Sequence, residues 1–486
     1  MNQIIGLDIG TNSVKAMMLQ DGKILGQISV GYSPDYLGDG RVEQDPAIWW
    51  DATRKAIRDI TTAHPGQVAA ISAAGQMHSS VFLDGDGNVI RNAMLWNDTR
   101  TTRQVVDITQ AAGGEAELLK MVQNRALEGF TLPKILWLRE NEAENFAKVS
   151  KVVMPKDYIN YKLTGRIATD ASDAAGTMLL DVPSRSWSRT LLAKLNLSAD
   201  LFPEVLESVD TVGKVQPNLA AELGLNPDTL VIAGGADNSC AAIGNGVTQV
   251  GQTIVSIGTS GTVVTMLDKM PQATDITGDV HLFNYSSPGK FYAMGCMLCA
   301  GESLNWLRDI VQVSDFDEFN TLAAQSAPGA GGVVFLPYLF GERCPHPDPT
   351  AKGMFFGLSN TTTRADMVRS VMEGVAYNVR AMYDLVAHFT PITEIYVTGG
   401  GAKSDIWGRI FANTLQRPIN VLNIEEGPAF GAALIAGVGA GIFTNFDAAK
   451  AQFLKTAKTY EPDGDTVYQQ RFETFMKLYE ANKGLW

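Results

Sequence analysis

Six short strings hold most of the residues whose types and spacing could do chemistry. The first is Asp8-Ile9-Gly10-Thr11, followed by Asn12 and Lys15. A carboxylate at a strand end here meets a turn whose amides and hydroxyl can reach phosphate oxygens. Gly10 permits close backbone approach. Lys15 adds positive charge, and Asp8 suits Mg²⁺, which takes hard oxygen ligands. An ordinary hairpin with a capping Asp would use the same residues. A partial echo at Gly258-Thr259-Ser260-Gly261 favours the phosphate reading: two facing turns would grip one polyphosphate.

A third loop, Gly399-Gly400-Gly401-Ala402, follows the apolar run 395–398. Strand, Gly-rich turn and helix bring bare backbone against a flat or anionic group. Its three glycines exceed what a helix cap at 403–405 requires. Asp405 is expected one turn into the helix, within reach of a ribose or an adenine. Trp306 either flanks the base or packs in the core.

Gly234-Gly235-Ala236-Asp237-Asn238-Ser239 follows the strand-like 230–232. An Asp at a strand mouth is a good general base for an alcohol that attacks phosphorus. Asn238 would then hold a sugar hydroxyl. An Asx-turn explains the pair equally well. In Ala74-Gly75-Gln76-Met77-His78-Ser79, His78 can exchange a hydrogen bond with a substrate hydroxyl, or it is simply structural. Leu95-Trp96-Asn97-Asp98-Thr99-Arg100 is either a substrate wall or a self-satisfied loop.

Other chemistries are not readable. There is no serine- or sulfur-centred triad and no H-E-x-x-H. The Gly-Lys pairs at Gly22, Gly213 and Gly289 are never followed by Ser or Thr, so no P-loop is present. Cys296 and Cys299 form a C-x-x-C without a second ligand pair for zinc. The four cysteines in 486 residues make no disulfide framework.

The elements that must position these groups read as α/β. The segments 4–9, 14–19 and 24–28 alternate with turn residues as three strands, Asp21-Gly22 closing a hairpin. The pattern returns at 253–257 and 262–266, about half a chain later. Duplication of a domain explains it, and 1–246 and 247–486 are the expected halves. The stretches 46–63, 304–311, 364–389 and 468–482 are helical in pattern, with Asp45 as an N-cap for the first.

Composition agrees. The net charge is 39 − 52 = −13, which argues against nucleic acid or an anionic membrane as a partner. Hydrophobic residues at 45% and charged residues at 19% are globular proportions. The first residues have neither a basic nor a long apolar region, so no signal peptide is expected. The run 429–443 holds four glycines and is shorter than the roughly 20 residues of a membrane span. A cytoplasmic protein is the expectation.

Taken together the strings resemble the FGGY carbohydrate kinase family, of the actin, hexokinase and Hsp70 superfamily. The resemblance covers essentially the whole chain. Residues 129–141 (GFTLPKILWLREN) and the stretch beginning GMFFGLSNTTTRADMVRSVMEG at Gly353 fit the family's two signatures. It implies two actin-like ATPase domains with a cleft between them, an N-terminal one for sugar and a C-terminal one for ATP. It places the proton-accepting aspartate on Asp237, sugar contacts on Met77, His78 and Asn238, and Mg²⁺ on Asp8. ATP contacts fall on Thr11, Asn12, Lys15, Gly258, Thr259, Gly400, Gly401 and Ala402. Some relatives have Asn where this chain has Asp405, which opens the adenine contact to question. The runs A-G-Q-M-H, L-W-N-D-T-R, P-K-D-Y and S-D-A-A-G-T-M-L-L-D point within the family to D-xylulose as acceptor. Ribulose, gluconate or a polyol are the alternatives, and a nucleotide-driven switch is the alternative of another class. A homodimer is left open.

Overall fold

The computed structural model describes residues 2–424 and 426–486. Its first sheet has six strands, in the order Thr211–Lys214, Leu230–Ala236, Val68–Gly75, Gln3–Ile9, Ser13–Gln20, Lys23–Gly31. The expected opening hairpins are present. Asp21 and Gly22 take positive φ, 50° and 73°, as a tight two-residue hairpin requires. Gln3–Ile9 pairs antiparallel with Ser13–Gln20 and parallel with Val68–Gly75.

Strand parity decides what each residue faces. Ile5, Leu7 and Ile9 share an apolar cluster with Trp49, Ile57 and Ile60 of the helix Pro46–Ala63. That helix has the expected bounds, and the Asp45 carboxylate caps it by accepting from Ala47 N–H at 2.9 Å. The other face carries Ile4, Gly6 and Asp8, and is covered by the helix Pro428–Gly439 from the second half of the chain.

The second sheet repeats the plan. Its order is His281–Asn284, Phe291–Met297, Gly261–Leu267, Gln252–Ile257, Glu394–Thr398, Ile419–Leu422, Thr456–Tyr460. Gln252–Ile257 pairs antiparallel with Gly261–Leu267 and parallel with Glu394–Thr398, as its counterpart does in the first sheet. The helix Arg364–Ala387 lies behind this sheet. Thr363 and Asp366 start it with a capping box, whose reciprocal bonds satisfy two otherwise unpaired amides.

The halves meet through two helices with almost no side-chain spacer. Asp237–Gly244 packs on Pro428–Gly439. A Cβ on Gly431 would sit 1.8 Å from the Cys240 carbonyl oxygen, and one on Gly6 would sit 1.9 Å from the Ala429 carbonyl oxygen. Most of the apolar run 429–443 is therefore an interface helix, which ends at Gly439. No described helix is long and apolar enough to cross a membrane.

Because the atoms in the way at Gly431 are backbone, they cannot yield locally. Gly431→Ala is expected to destabilise the protein by about 3 kcal/mol or more. Gly85, around which a Cβ meets nothing within 4 Å, tolerates Ala. Thermal melting of the two variants compares them directly.

Candidate active site

The first sheet delivers its chemistry at the carboxyl ends of its parallel strands, where open α/β sheets bind ligands. Asp8 lies near the end of Gln3–Ile9, and the loop 76–79 follows Val68–Gly75. Asp237 opens the helix after Leu230–Ala236. That last strand carries a bulge. Its register shifts between Ile232 and Gly235, and Gly234 has φ of 77°. A Cβ on Gly234 would lie 1.9 Å from the Ala73 carbonyl oxygen. Only glycine fits, and the bulge re-aims the residues that follow.

Asp237 and Asp8 act on each other as like charges. Burial, reinforced by the Asp8 charge, pushes Asp237 up to about 7. Burial also pushes Asp8 up to about 6, against the opposing pull of Lys15. Lys15 stands opposite Asp8 in the strand register and pairs with Glu426 at 3.4 Å. The Asp237 carboxylate accepts from Asn238 N at 2.6 Å and from Asn238 Nδ2 at 3.0 Å. Asn238 Nδ2 also lies 3.6 Å from Met77 Sδ. The two pairs nominated from sequence are thus neighbours.

His78 is held in an unusual conformation, with φ of 70°. Its Nδ1 is 2.6 Å from the Gly176 carbonyl oxygen. A carbonyl only accepts, so Nδ1 carries the proton and Nε2 is left as an acceptor. Burial, above all, lowers the ring to about 3, so it is neutral at pH 7. Its ring packs on Phe130 at 4.5 Å. Lys134, in the GFTLPKILWL stretch, is fully buried and donates to the carbonyls of Phe130 at 3.0 Å and of His78 at 3.4 Å. Part of the first signature therefore serves to hold the backbone around His78.

A cavity of about 420 Å³ is lined by residues of both halves that include Trp96, Gly129, His281, Glu342 and Arg343; the Phe130 ring lies between His78 and His281, and Met77, His78, Asp237 and Asn238 are not themselves lining residues. Trp96 donates from its indole to Thr11 Oγ1 at 3.0 Å, so the L-W-N-D-T-R loop is tied to the first turn. Gln76 joins the same turn, accepting from Thr11 at 3.4 Å and donating to the Gly10 carbonyl at 3.3 Å.

A second cavity, about 410 Å³, brings Gly258, Thr259, Gly400 and Gly401 together with Asn305, Phe316, Asn320 and Trp407. The far wall, Phe316 to Asn320, lies in a helix that carries no motif. Ser404 caps the helix Asp405–Leu415 and donates to Asn320 Oδ1 at 2.7 Å. Trp407 is anchored by its indole N–H on the Met372 carbonyl, 3.0 Å away in the second signature.

Several expectations need correction. Asp405 is the first residue of its helix, not one turn in. It accepts from the Tyr460 hydroxyl at 2.7 Å and pairs with Lys458. Those partners draw it toward the strand Thr456–Tyr460 and away from the cavity lining. Ala402 is buried beside Val397 and Leu422 and is not among the lining residues either. Trp306 stacks on Phe335 and Phe355, which is the core alternative. The Gly10 and Gly258 amides close their own turns, onto Ser13 and Ser260 carbonyls, both at 3.0 Å. Among the described residues no partner engages the Thr11 or Thr259 amide, so these are the ones a phosphate can meet. Asn12 is exposed, its carbonyl accepting from Tyr32 N–H at 2.9 Å. The four cysteines are free thiols.

The residues fit a divalent cation of the Mg²⁺ type. Among the described residues no hydrogen-bond donor engages the Asp8 carboxylate, and no cluster of three or more His, Cys, Asp or Glu side chains forms a metal cage. Mg²⁺ is commonly held by one or two carboxylates, with phosphates and waters completing its shell. The mutual repulsion of Asp8 and Asp237 is what such a cation would relieve.

The folded state holds the Asp237 proton more tightly than an exposed carboxyl, whose value is about 4. Stability therefore falls as pH rises from about 4 to about 7. Asp237→Asn removes that loss. The variant is expected to melt above the wild type at about pH 8, with the gap closing below about pH 4. Calorimetry across that range checks the sign.

The whole chain has close counterparts. Residues 3–244 match the N-terminal domain of the FGGY family of carbohydrate kinases, and residues 253–440 match its C-terminal domain. The xylulose kinase of Bacillus subtilis (strain 168) is 38% identical over 493 residues, covering 100% of this chain and 98% of that protein. A ligand-bound xylulose kinase from Lactobacillus acidophilus superposes with a TM-score of 0.94 at 27% identity, covering 100% of this chain and 99% of that one. A gluconate kinase from the same organism also reaches 0.94 at 27% identity, covering 99% and 98%. These matches, running over both halves of the two-domain α/β architecture, show that the chain belongs to the FGGY family of carbohydrate kinases.

Proposed function

We propose that this chain transfers the γ-phosphoryl group of ATP to the terminal hydroxyl of D-xylulose, giving D-xylulose 5-phosphate. The observation that carries the reading is the juxtaposition of Asp237 and Asn238 with Met77 and His78, the last across the Phe130 ring from a cavity walled by Trp96. The full-length similarity to xylulose kinases selects the sugar.

In this reading Asp237 accepts the hydroxyl proton as the sugar oxygen bonds to the γ-phosphorus. The bond from that phosphorus to the bridging oxygen breaks, and ADP leaves. A carboxylate near 7 suits a base working near neutral pH. Asn238 and the Nε2 lone pair of His78 orient sugar hydroxyls. The Thr11 and Thr259 amides meet charge on the transferring group, and the Gly400-Gly401 cavity takes the nucleoside. Lys15 adds positive charge once its ammonium leaves Glu426. Mg²⁺, held through Asp8, would neutralise phosphate charge.

A second reading changes only the acceptor. Arg343 is exposed on the sugar-side cavity and makes no salt bridge among the described residues. An aldonate such as gluconate would present a carboxylate to it.

One coupled ADP-release assay decides between them, using D-xylulose, ribulose, gluconate and glycerol. D-xylulose is expected to give the highest kcat/KM. Asp237→Ala is expected to reduce sugar-dependent turnover by at least about 10³-fold while nucleotide binding persists. Preference for gluconate supports the aldonate reading. A fully active Asp237→Ala defeats both.

A further inference from the structure

Behind Asp237 lies a buried polar group that the transfer itself does not use. Lys156, Asp157, Asp170 and Asp173 are each at most 1% exposed. Lys156 Nζ is 2.9 Å from Asp170, 2.5 Å from Asp157 and 3.6 Å from Asp173. Burying several carboxylates around one ammonium is costly.

Asp170 leads from this cluster toward the site. One of its oxygens accepts from Ser172 Oγ at 2.6 Å and from Ser208 Oγ at 2.7 Å. It also caps the short helix Ala171–Ala175 by accepting from Ser172 N at 2.9 Å. Capping accounts for the amide contact but not for where the Ser172 hydroxyl goes next. With its one proton on Asp170, the Ser172 oxygen accepts from the backbone N–H of Ala236 at 3.0 Å. Its second acceptor position takes the Ser286 hydroxyl at 3.2 Å. The hydroxyl is fully used. Gly235 permits this approach, since a Cβ there would lie 2.9 Å from Ser172 Oγ and 2.2 Å from Ser286 Oγ.

Ala236 is the residue immediately before Asp237, at the end of the bulged strand. The ladder resumes after the bulge with Ala236 opposite Gly75, and the Ala236 amide is the one that Ser172 Oγ meets. Ser286 belongs to the segment after the strand His281–Asn284 of the second half, and its amide donates to Ser239 Oγ at 2.8 Å. The end of the catalytic strand is thus gripped from both halves at once.

We propose that Ser172, oriented by Asp170, is a positioning residue for Asp237: it fixes the Ala236 amide and so the direction in which the Asp237 carboxylate projects. The inference rests on Asp237 being the proton acceptor. It concerns kcat and not affinity, because Ser172 acts on Asp237 through the Ala236 backbone amide.

Steady-state kinetics of Ser172→Ala with D-xylulose and ATP test it, beside Ser208→Ala and Asp237→Asn. Ser208→Ala removes a hydrogen bond to the same oxygen of Asp170 but leaves the Ala236 contact intact. Ser172→Ala is expected to lose about 10- to 100-fold in kcat, the usual penalty for a misplaced catalytic group. Both KM values should stay within about threefold, and Ser208→Ala should keep near wild-type kcat. Ser172→Cys, with a weaker hydrogen-bonding group, is the second variant and should fall between Ala and the wild type. Wild-type kcat in Ser172→Ala overturns the proposal, as does wild-type kcat in Ser172→Cys should the Ala variant melt below the assay temperature. An equal loss in Ser208→Ala overturns it too. An active Asp237→Asn defeats the base assignment itself. An inactive Asp237→Asn with an unimpaired Ser172→Ala defeats only the positioning role.

Discussion

Two carboxylates of like charge, Asp8 and Asp237, are held facing each other at the ends of parallel strands, and much of the molecule exists to keep them there. In water such a pair would separate or hydrate. Here burial raises both above the ordinary carboxylate range, and the Asp8 charge adds to the rise of Asp237. The backbone cannot relax the arrangement, because Gly6, Gly234 and Gly431 leave no room between the strands and helices that carry or flank the pair. A cation and a proton would relieve that repulsion, and the proposed transfer would bring both.

The rest of the site follows from this constraint. The raised Asp237 is a base of moderate strength near neutral pH. His78, neutral and fixed in one tautomer by the Gly176 carbonyl, presents an acceptor without adding charge. Trp96 and Gln76 tie the turn at Gly10-Thr11 to the loops after the neighbouring strands, so in the proposed reading the two substrates would share one rigid support. The segment 281–286 from the second half reaches behind the catalytic strand. There Asn124 of the first half exchanges hydrogen bonds with Leu282, at 2.8 and 3.2 Å. Closure of the halves and alignment of the base therefore share contacts.

The sequence disclosed the parts whose chemistry is local. The alternation of Ile4 to Ile9 and its turn at Gly10-Thr11 specify a strand and its loop. The same signal at 253–261 specifies the second copy. Asp45 and the 46–63 periodicity set a helix at both ends. Asp237 stood out as an Asp at a strand mouth, flanked by Gly and followed by Asn, although an Asx-turn explained the pair equally well and the bulge at Gly234 is seen only in the fold. What stayed hidden depends on tertiary partners. Asp405 sits at the expected place in the chain, but its direction is set by Lys458 and Tyr460, more than 50 residues away. The Phe316–Asn320 wall carries no motif because it contributes shape. Ser172 lay within a recognised string, yet its role depends on Ala236, 64 positions on, a pairing that no local spacing encodes.

The central claim is the electrostatic coupling of Asp8 and Asp237. Carbon-detected NMR titration of the two side-chain carboxyls in the ligand-free protein tests it, with the Asp8→Asn variant as the comparison. The account predicts that Asp237 titrates near 7 in the wild type and clearly lower once the Asp8 charge is removed. An Asp237 that titrates near 4 in both proteins, as an exposed carboxyl does, would contradict it.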